Sequence, residues 1–180
     1  MTTLAQREAD LSLRAGGDFV RLRVIWPSNP EDGRPIALFL WERPSVFEMA
    51  EALSVEGGMV VLALQTRALD VATVALEWAG DHAASLGADP DRLFLAGGGL
   101  AATAALHARD EGWPPLARQL LSGPEHSGWP PADASLAGVA PATMVDGPVY
   151  AARLRAAGVE VEELPLAARM SFEWPARIAA

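Results

Sequence analysis

The sequence predicts a three-layer α/β protein, with a mostly parallel sheet that has helices on both faces. Three short and mostly apolar runs, Ile36–Trp41, Met59–Leu64 and Arg92–Ala96, have the pattern of strands that are buried on both sides. Two helical segments, Ser45–Val55 and Ala68–Leu86, lie between these runs. Strands that alternate with helices in this way pair in parallel, because each helix returns the chain to the same end of the sheet.

The N-terminal part of the chain has a different pattern. Thr2–Arg14 has a weak helical periodicity that ends at Gly16–Gly17, so it predicts a helix, and residues 1–18 are interpreted as an N-terminal extension. Val20–Trp26 alternates apolar and polar residues, which is the period of a strand with one solvated face. The segment Pro27–Gly33 is rich in turn formers and predicts the connection to the first buried strand.

The rest of the chain continues the alternation of helices and strands. The expected elements are a helix at Leu100–Asp110, a strand at Leu116–Leu121, a Pro- and Gly-rich loop at Ser122–Gly138, a strand at Thr143–Val145, a helix at Val149–Ala157, a strand at Val159–Leu164 and a final helix capped by Ser171. No linker divides the 180 residues, so we expect a single domain.

Composition excludes several classes of function. The net charge of −9 disfavours nucleic acid as a partner, since phosphates repel an acidic surface. No uncharged apolar run is long enough to span a membrane, so no membrane partner is expected. The chain contains no cysteine and no apolar segment typical of a signal peptide, which favours a cytoplasmic protein. We expect no cofactor and no metal site, because no cluster of His, Asp and Glu has ligand spacing.

The turn Gly97-Gly98-Gly99 is the first candidate site, because it joins a buried strand to a helix. Such a turn exposes backbone N–H groups at the N-terminus of the helix, where anions and reacting oxygens can bind. The spacing Gly97-x-Gly99-x-x-Ala102 also matches a dinucleotide-binding fingerprint, so a nucleotide or small-anion binder at Gly97–Gly99 is one hypothesis. The acidic residue that would bind the ribose is missing at the end of the next strand, at Leu121-Ser122.

Three stretches resemble the hormone-sensitive-lipase-like esterases and lipases of the α/β-hydrolase superfamily. Trp78–Gly97 is similar to that family's helix, Gly-x-Asp-Pro-x-Arg turn and strand before the nucleophile. Leu100–Leu121 resembles the helix and strand that follow the nucleophile, and Tyr150–Val161 resembles the helix and strand before the catalytic histidine. The resemblance implies an α/β-hydrolase fold in a shortened, degenerate form that lacks the family's cap region.

The same resemblance places the family's catalytic positions on residues of other types. The nucleophilic serine of the G-x-S-x-G turn falls on Gly99, or is lost with about one helical turn if the helices are aligned instead. The oxyanion loop falls on Leu38–Pro44, which contains no glycine, and the acid and base fall near Asp146 and Met170. We therefore expect a vestigial nucleophile turn and a vestigial acid/base region, and hence a non-catalytic pseudoenzyme that acts as a binding or assembly partner.

An alternative keeps the activity and assigns it to unusual residues. Ser122, His126 and Ser127 lie close together in the loop after a strand, and a hydroxyl beside an imidazole is the basic unit of nucleophilic catalysis. This alternative predicts a carboxylic-ester hydrolase. For the non-catalytic hypothesis, the expected partner is a second copy of the chain, paired through the last strand Val159–Leu164 to form a homodimer, or an unknown protein.

Overall fold

The structure is a computed structural model that describes residues 7–29, 31–41, 46–125 and 130–165, with only the backbone described for residues 46–48. Predictions for Ser45, His126, Ser127, Met170 and Ser171 lie outside these residues. No helix within the described ranges is long and apolar enough to cross a membrane.

The described ranges contain eight strands, four α-helices and one short 3-10 helix. In chain order they are β1 (Arg7–Ala15), β2 (Asp18–Trp26), β3 (Arg34–Trp41), α1 (Val46–Gly57), β4 (Val60–Gln65), α2 (Leu69–His82), a 3-10 helix (Ala84–Leu86), β5 (Ala88–Gly97), α3 (Gly99–Glu111), β6 (Arg118–Ser122), β7 (Ala142–Val145), α4 (Pro148–Ala156) and β8 (Val161–Leu164).

All eight strands form one sheet in the order β1-β2-β4-β3-β5-β6-β7-β8. The pairs β1–β2 and β2–β4 are antiparallel, and every other neighbouring pair is parallel. Side chains of α2, α3 and α4 pack in the apolar core on one face, while Ala50 and Leu53 of α1 pack in the core on the other. The predicted three-layer fold with a mostly parallel sheet is confirmed.

The topology opens a crevice between β3 and β5. After β3 the chain enters α1 on one face of the sheet, and after β5 it enters α3 on the opposite face. Neighbouring strands whose connections leave in opposite directions form a topological switch point, where α/β proteins bind ligands. A ligand site is therefore expected at the carboxyl ends of β3 and β5.

The prediction of a helix over Thr2–Arg14 is wrong for its described part, because residues 7–15 form strand β1. Each residue of β1 pairs with one residue of β2, from Arg7 opposite Trp26 to Ala15 opposite Asp18. The two connecting glycines have φ angles of 61° and 91°, which suit a two-residue hairpin turn. Apolar residues of this segment recur at every second position, which is the period of a strand, as well as with a weak helical period. Pairing with β2 stabilises the strand. The expected extension is thus part of the sheet from Arg7 onwards.

Other differences are smaller. The long helix expected at Ala68–Leu86 ends at His82, and the chain continues as the short 3-10 helix. The indole N–H of Trp26 donates to the carbonyl of Leu86 at 2.9 Å, which ties this segment to the end of β2. Strand β5 begins at Ala88, earlier than the apolar pattern predicts.

Candidate active site at the carboxyl edge of the sheet

Gly97 ends β5 at a point where the main chain of β3 lies too close for any side chain. Its φ angle is 147°, and a Cβ atom added there would lie 2.2 Å from the carbonyl oxygen of Leu40. The same Cβ atom would lie 3.1 Å from the Cβ atom of Ala101 in the first turn of α3. Only glycine fits, so position 97 is a packing point between β3, β5 and α3.

Gly98 and Gly99 complete the turn, and position 98 has more free space around it than position 97. Gly98 is the N-cap of α3, has a φ angle of −99° and is partly exposed, while Gly99 is buried as the first residue of the helix. A Cβ atom at position 98 would make an ordinary contact of 3.7 Å with the carbonyl oxygen of Ser122. The N–H groups of this first turn have no acceptor inside the helix and carry its positive dipole end.

Ser122 ends the neighbouring strand β6 and is buried. It pairs with Val145 of β7 and is 6% exposed, and its Oγ has no hydrogen-bond partner among the described residues. Leaving a buried polar group unpaired costs about 1–3 kcal/mol, so such a group calls for an explanation. The main-chain carbonyl oxygen of Ser122 borders the glycine turn, 3.7 Å from where a Cβ atom of residue 98 would stand, so this strand end adjoins the candidate site.

The residues after Ser122 fasten this strand end to the turn between β7 and α4. The N–H of Gly123 donates to the carbonyl of Val145 at 2.9 Å, and the carboxylate of Glu125 accepts from the N–H of Val149 at 3.1 Å. Pro124 packs so closely on Gly147 that a Cβ atom there would lie 2.8 Å from the proline Cδ. The start of the Ser122–Gly138 loop is therefore held against the next strand end, a contact that no pattern in the sequence predicts.

Asp146 is the first residue after β7, exposed at this edge of the sheet. Its φ angle of 59° is in the left-handed region, and among the described residues it is the one non-glycine with a positive φ. Such backbone conformations are costly and concentrate at functional sites. The structure thus brings Gly97–Gly99, Ser122 and Asp146 to the ends of three adjacent strands, β5, β6 and β7.

The two described histidines lie away from this edge. His82 stacks on Trp78 with ring centroids 4.3 Å apart, and its Nδ1 lies 2.9 Å from the Trp78 carbonyl oxygen. His107 lies on α3, about two turns after the glycines. Neither histidine is therefore placed to act at this edge of the sheet.

Tyr150 lies in the first turn of α4, four residues after Asp146, and is 2% exposed. Its hydroxyl has no hydrogen-bond partner within the described ranges. Burial raises the pKa of Tyr150 to about 12, against a smaller opposing effect of Arg153 and Arg109. The guanidinium carbon of Arg153 lies 5.7 Å from the centre of the tyrosine ring. The tyrosine is therefore a neutral core residue at physiological pH.

A cavity of about 420 Å³ opens at the opposite edge of the sheet, lined by residues that include Trp26, Arg34 and Gly87. These residues lie at the end of the antiparallel strand β2 and at the amino ends of β3 and β5. The cavity is thus on the other side of the molecule from the glycine turn, and we assign it no part in the candidate site.

Comparisons with known proteins connect this arrangement to esterases. A family model described as the α/β-hydrolase fold matches residues 65–139. The carboxylesterase NlhH of Mycobacterium tuberculosis is 32% identical over 122 residues, which is 57% of this chain and 38% of that protein. The esterase LipI of the same organism is 28% identical over 168 residues, 81% of this chain and 52% of that protein. The chain thus spans about half or less of the length of these relatives.

Solved structures share the architecture over nearly the whole chain. A bacterial heroin esterase superposes with a TM-score of 0.81 at 22% identity, covering 97% of this chain and 83% of that one. A hyperthermophilic esterase from the archeon Pyrobaculum calidifontis superposes with a TM-score of 0.81 at 20% identity, covering 96% and 84% of the two chains.

The comparisons contradict the expectation of a non-catalytic binding or assembly protein. Both sequence relatives are named as esterases, and esterases recur among the similar structures. The pseudoenzyme prediction considers only the substitutions at the expected catalytic positions. It does not consider the other polar groups at the same edge of the sheet. Sequence match and architecture together show that the chain has the α/β-hydrolase fold.

Proposed function

We propose that this chain belongs to a carboxylic-ester hydrolase that works with unusual residues at the carboxyl edge of the sheet. The esterase names of its relatives support the reaction class. The assignment to a residue rests on Ser122, whose buried hydroxyl at the end of β6 has no hydrogen-bond partner in the part of the chain that the structure describes. The main chain of Ser122 borders the glycine turn that opens α3.

In this proposal the Ser122 hydroxyl attacks the carbonyl carbon of the ester. Its proton passes to His126, four residues later in the sequence, which then donates it to the departing alcohol. N–H groups at the start of α3, near Gly98, stabilise the oxyanion that forms. Water releases the acyl group in a second step by the same proton transfers, and Asp146 is the candidate for orienting the histidine.

Burial of Ser122 limits the substrates in this proposal. Ser122 is 6% exposed and its Oγ is buried, so neighbouring residues must move before an ester reaches the hydroxyl, and a small ester needs the smallest movement. Esters with short acyl chains are therefore the expected substrates, and small fluorophosphonates are the matching covalent probes. Longer acyl chains are expected to react more slowly.

The test compares the unchanged chain with Ser122→Ala, His126→Ala and Ser127→Ala. Each protein is incubated with p-nitrophenyl acetate and butyrate and with a fluorophosphonate probe, and the labelled peptide is identified by mass spectrometry. The unchanged chain is expected to turn over and to be labelled at Ser122. Ser122→Ala and His126→Ala are expected to lose about a thousandfold or more in rate, while Ser127→Ala, the matched control, keeps its activity.

Two outcomes would decide against parts of this proposal. A folded chain with neither turnover nor labelling would reject hydrolysis by this chain. Turnover with the label on Ser127, and an active Ser122→Ala variant, would keep the reaction class and reject Ser122 as the nucleophile.

A further inference from the structure

Strand β1 leaves one long edge of the sheet without a strand partner among the described residues. It is nine residues long and pairs with β2 alone. Its register with β2 runs without interruption, and the strand contains neither proline nor lysine. Proteins usually protect exposed edges with short strands, bulges, proline or charged side chains. Strand β1 is long and has no bulge or proline, and its charged residues are of both signs, so they can pair with a second copy of the strand.

The two faces of β1 differ in polarity. Glu8, Asp10, Ser12 and Arg14 form an exposed row on one face, while the apolar residues centred on Leu11 are half-buried against the core on the other. A second strand added at this edge would extend both faces, provided that its own residues match them.

We propose that β1 pairs antiparallel with β1 of a second copy of this chain, around a two-fold axis that passes through Leu11. In that register each residue faces the residue equally far on the other side of position 11. Glu8 then lies opposite Arg14 of the partner subunit, and Asp10 lies opposite Ser12 of the partner subunit. Leu11 meets Leu11 of the partner subunit, so the apolar face continues across the axis.

The charges of the strand fit this register. Arg14 makes no ion pair within the described part of the chain. Glu8 makes a long one, 3.7 Å from a guanidinium nitrogen of Arg23, which lies closer to Asp10 at 2.9 Å, so Glu8 can also pair with Arg14 of the partner subunit. In the dimer each Arg14 pairs with Glu8 of the partner subunit, so two such ion pairs form, one on each side of the axis. A register centred on Asp10 would instead set that carboxylate opposite its own copy, which is unfavourable.

The opposite edge of the sheet is less suited to the same pairing. Strand β8 has four residues, and a two-fold axis at Glu162 or Glu163 would set a carboxylate opposite itself. Both side chains already have partners, since Arg155 pairs with Glu163 and the Thr143 hydroxyl lies 3.2 Å from a carboxylate oxygen of Glu162. The dimer through Val159–Leu164 that the sequence predicts is therefore the competing arrangement in the test.

The first experiment is a disulfide test on the full chain, which contains no cysteine. Leu11→Cys places a thiol directly opposite its copy, at a Cα separation of about 4.5–5.5 Å that a disulfide can span. Ser12→Cys, on the other face, and Glu163→Cys, on β8, are the matched controls. Under mild oxidation Leu11→Cys is expected to give a covalent dimer at low protein concentration, and the controls are expected to stay mostly monomeric.

The second experiment measures the dissociation constant by sedimentation. Arg14→Glu is expected to weaken the dimer by about tenfold, because two symmetry-related pairs change from attractive to repulsive. The double variant Glu8→Arg with Arg14→Glu restores the opposite signs and is expected to recover most of the loss. A single monomeric species at all concentrations would overturn the proposal. So would a dimer that is insensitive to Arg14→Glu, or one that crosslinks through Glu163→Cys but not through Leu11→Cys.

Discussion

Replacement of Gly97 by alanine is expected to lower the free energy of unfolding by at least about 3 kcal/mol. The added Cβ atom would lie 2.2 Å from the Leu40 carbonyl oxygen, which is main chain in the middle of the sheet and has no rotamer to change. Alanine also rarely adopts the φ angle of 147° found here. The strands would have to separate, so unfolding in urea, followed by the fluorescence of the six tryptophans, should shift to a much lower midpoint.

Gly98→Ala is the matched control, one residue later in the same turn. Its Cβ atom would sit 3.7 Å from the nearest atom, and its φ angle of −99° is open to any residue. A loss of about 1 kcal/mol or less is expected, mostly from a weaker N-cap. If the two variants unfold at the same urea concentration, the close contact between β3 and β5 does not constrain the turn.

The second large effect is a loss of stability in alkaline solution that comes from Tyr150. Its pKa is about 12 in the folded chain and about 10 in an unfolded one. Below pH 10 the phenol is protonated in both states and the full stability is present. Between pH 10 and 12 the unfolded state ionises first, so the free energy of unfolding falls by about 3 kcal/mol. Denaturant titrations at several alkaline pH values measure this slope.

A single tyrosine makes the measurement specific, because the tyrosinate absorbance then reports Tyr150 alone. The folded chain should titrate near pH 12, and the chain in concentrated guanidinium near pH 10. In Tyr150→Phe the absorbance change should vanish and the alkaline slope should decrease. The variant should be at least as stable at neutral pH, because a buried hydroxyl without a partner is removed. A midpoint near 10 in the folded chain would contradict the buried placement.

The sequence predicts the central strands well because burial on both faces leaves a strong local pattern. Ile36–Trp41 and Met59–Leu64 are unbroken apolar runs, and each lies within about two residues of an observed strand. Strand β1 is predicted wrongly because its residues are only half-buried and their pattern is weak. Its structure depends on pairing with β2, and the two glycines that make this pairing possible also fit the end of a helix.

The candidate site is predictable in its parts but not in its assembly. The glycine turn, Ser122 and Asp146 each stand out in the sequence, because each follows a predicted strand. Two contacts across the sheet have no local pattern in the sequence. The Leu40 carbonyl fills the space beside Gly97, and the Glu125 carboxylate accepts from the N–H of Val149. The prediction of a non-catalytic chain is wrong for the same reason. It compares positions along the sequence and not the groups that meet at one edge of the sheet.

The hairpin of β1 and β2 also has a consequence for the order of folding. Its two strands are joined by two residues, so it can form within microseconds, whereas the parallel strands must wait for their crossover helices. Its inner face, with Leu11, Leu13 and Leu22, packs against α2, which belongs to a later part of the chain. Until α2 docks, the hairpin is an apolar ribbon with two open edges. Refolding at high protein concentration is therefore expected to lose material to aggregation at this early stage.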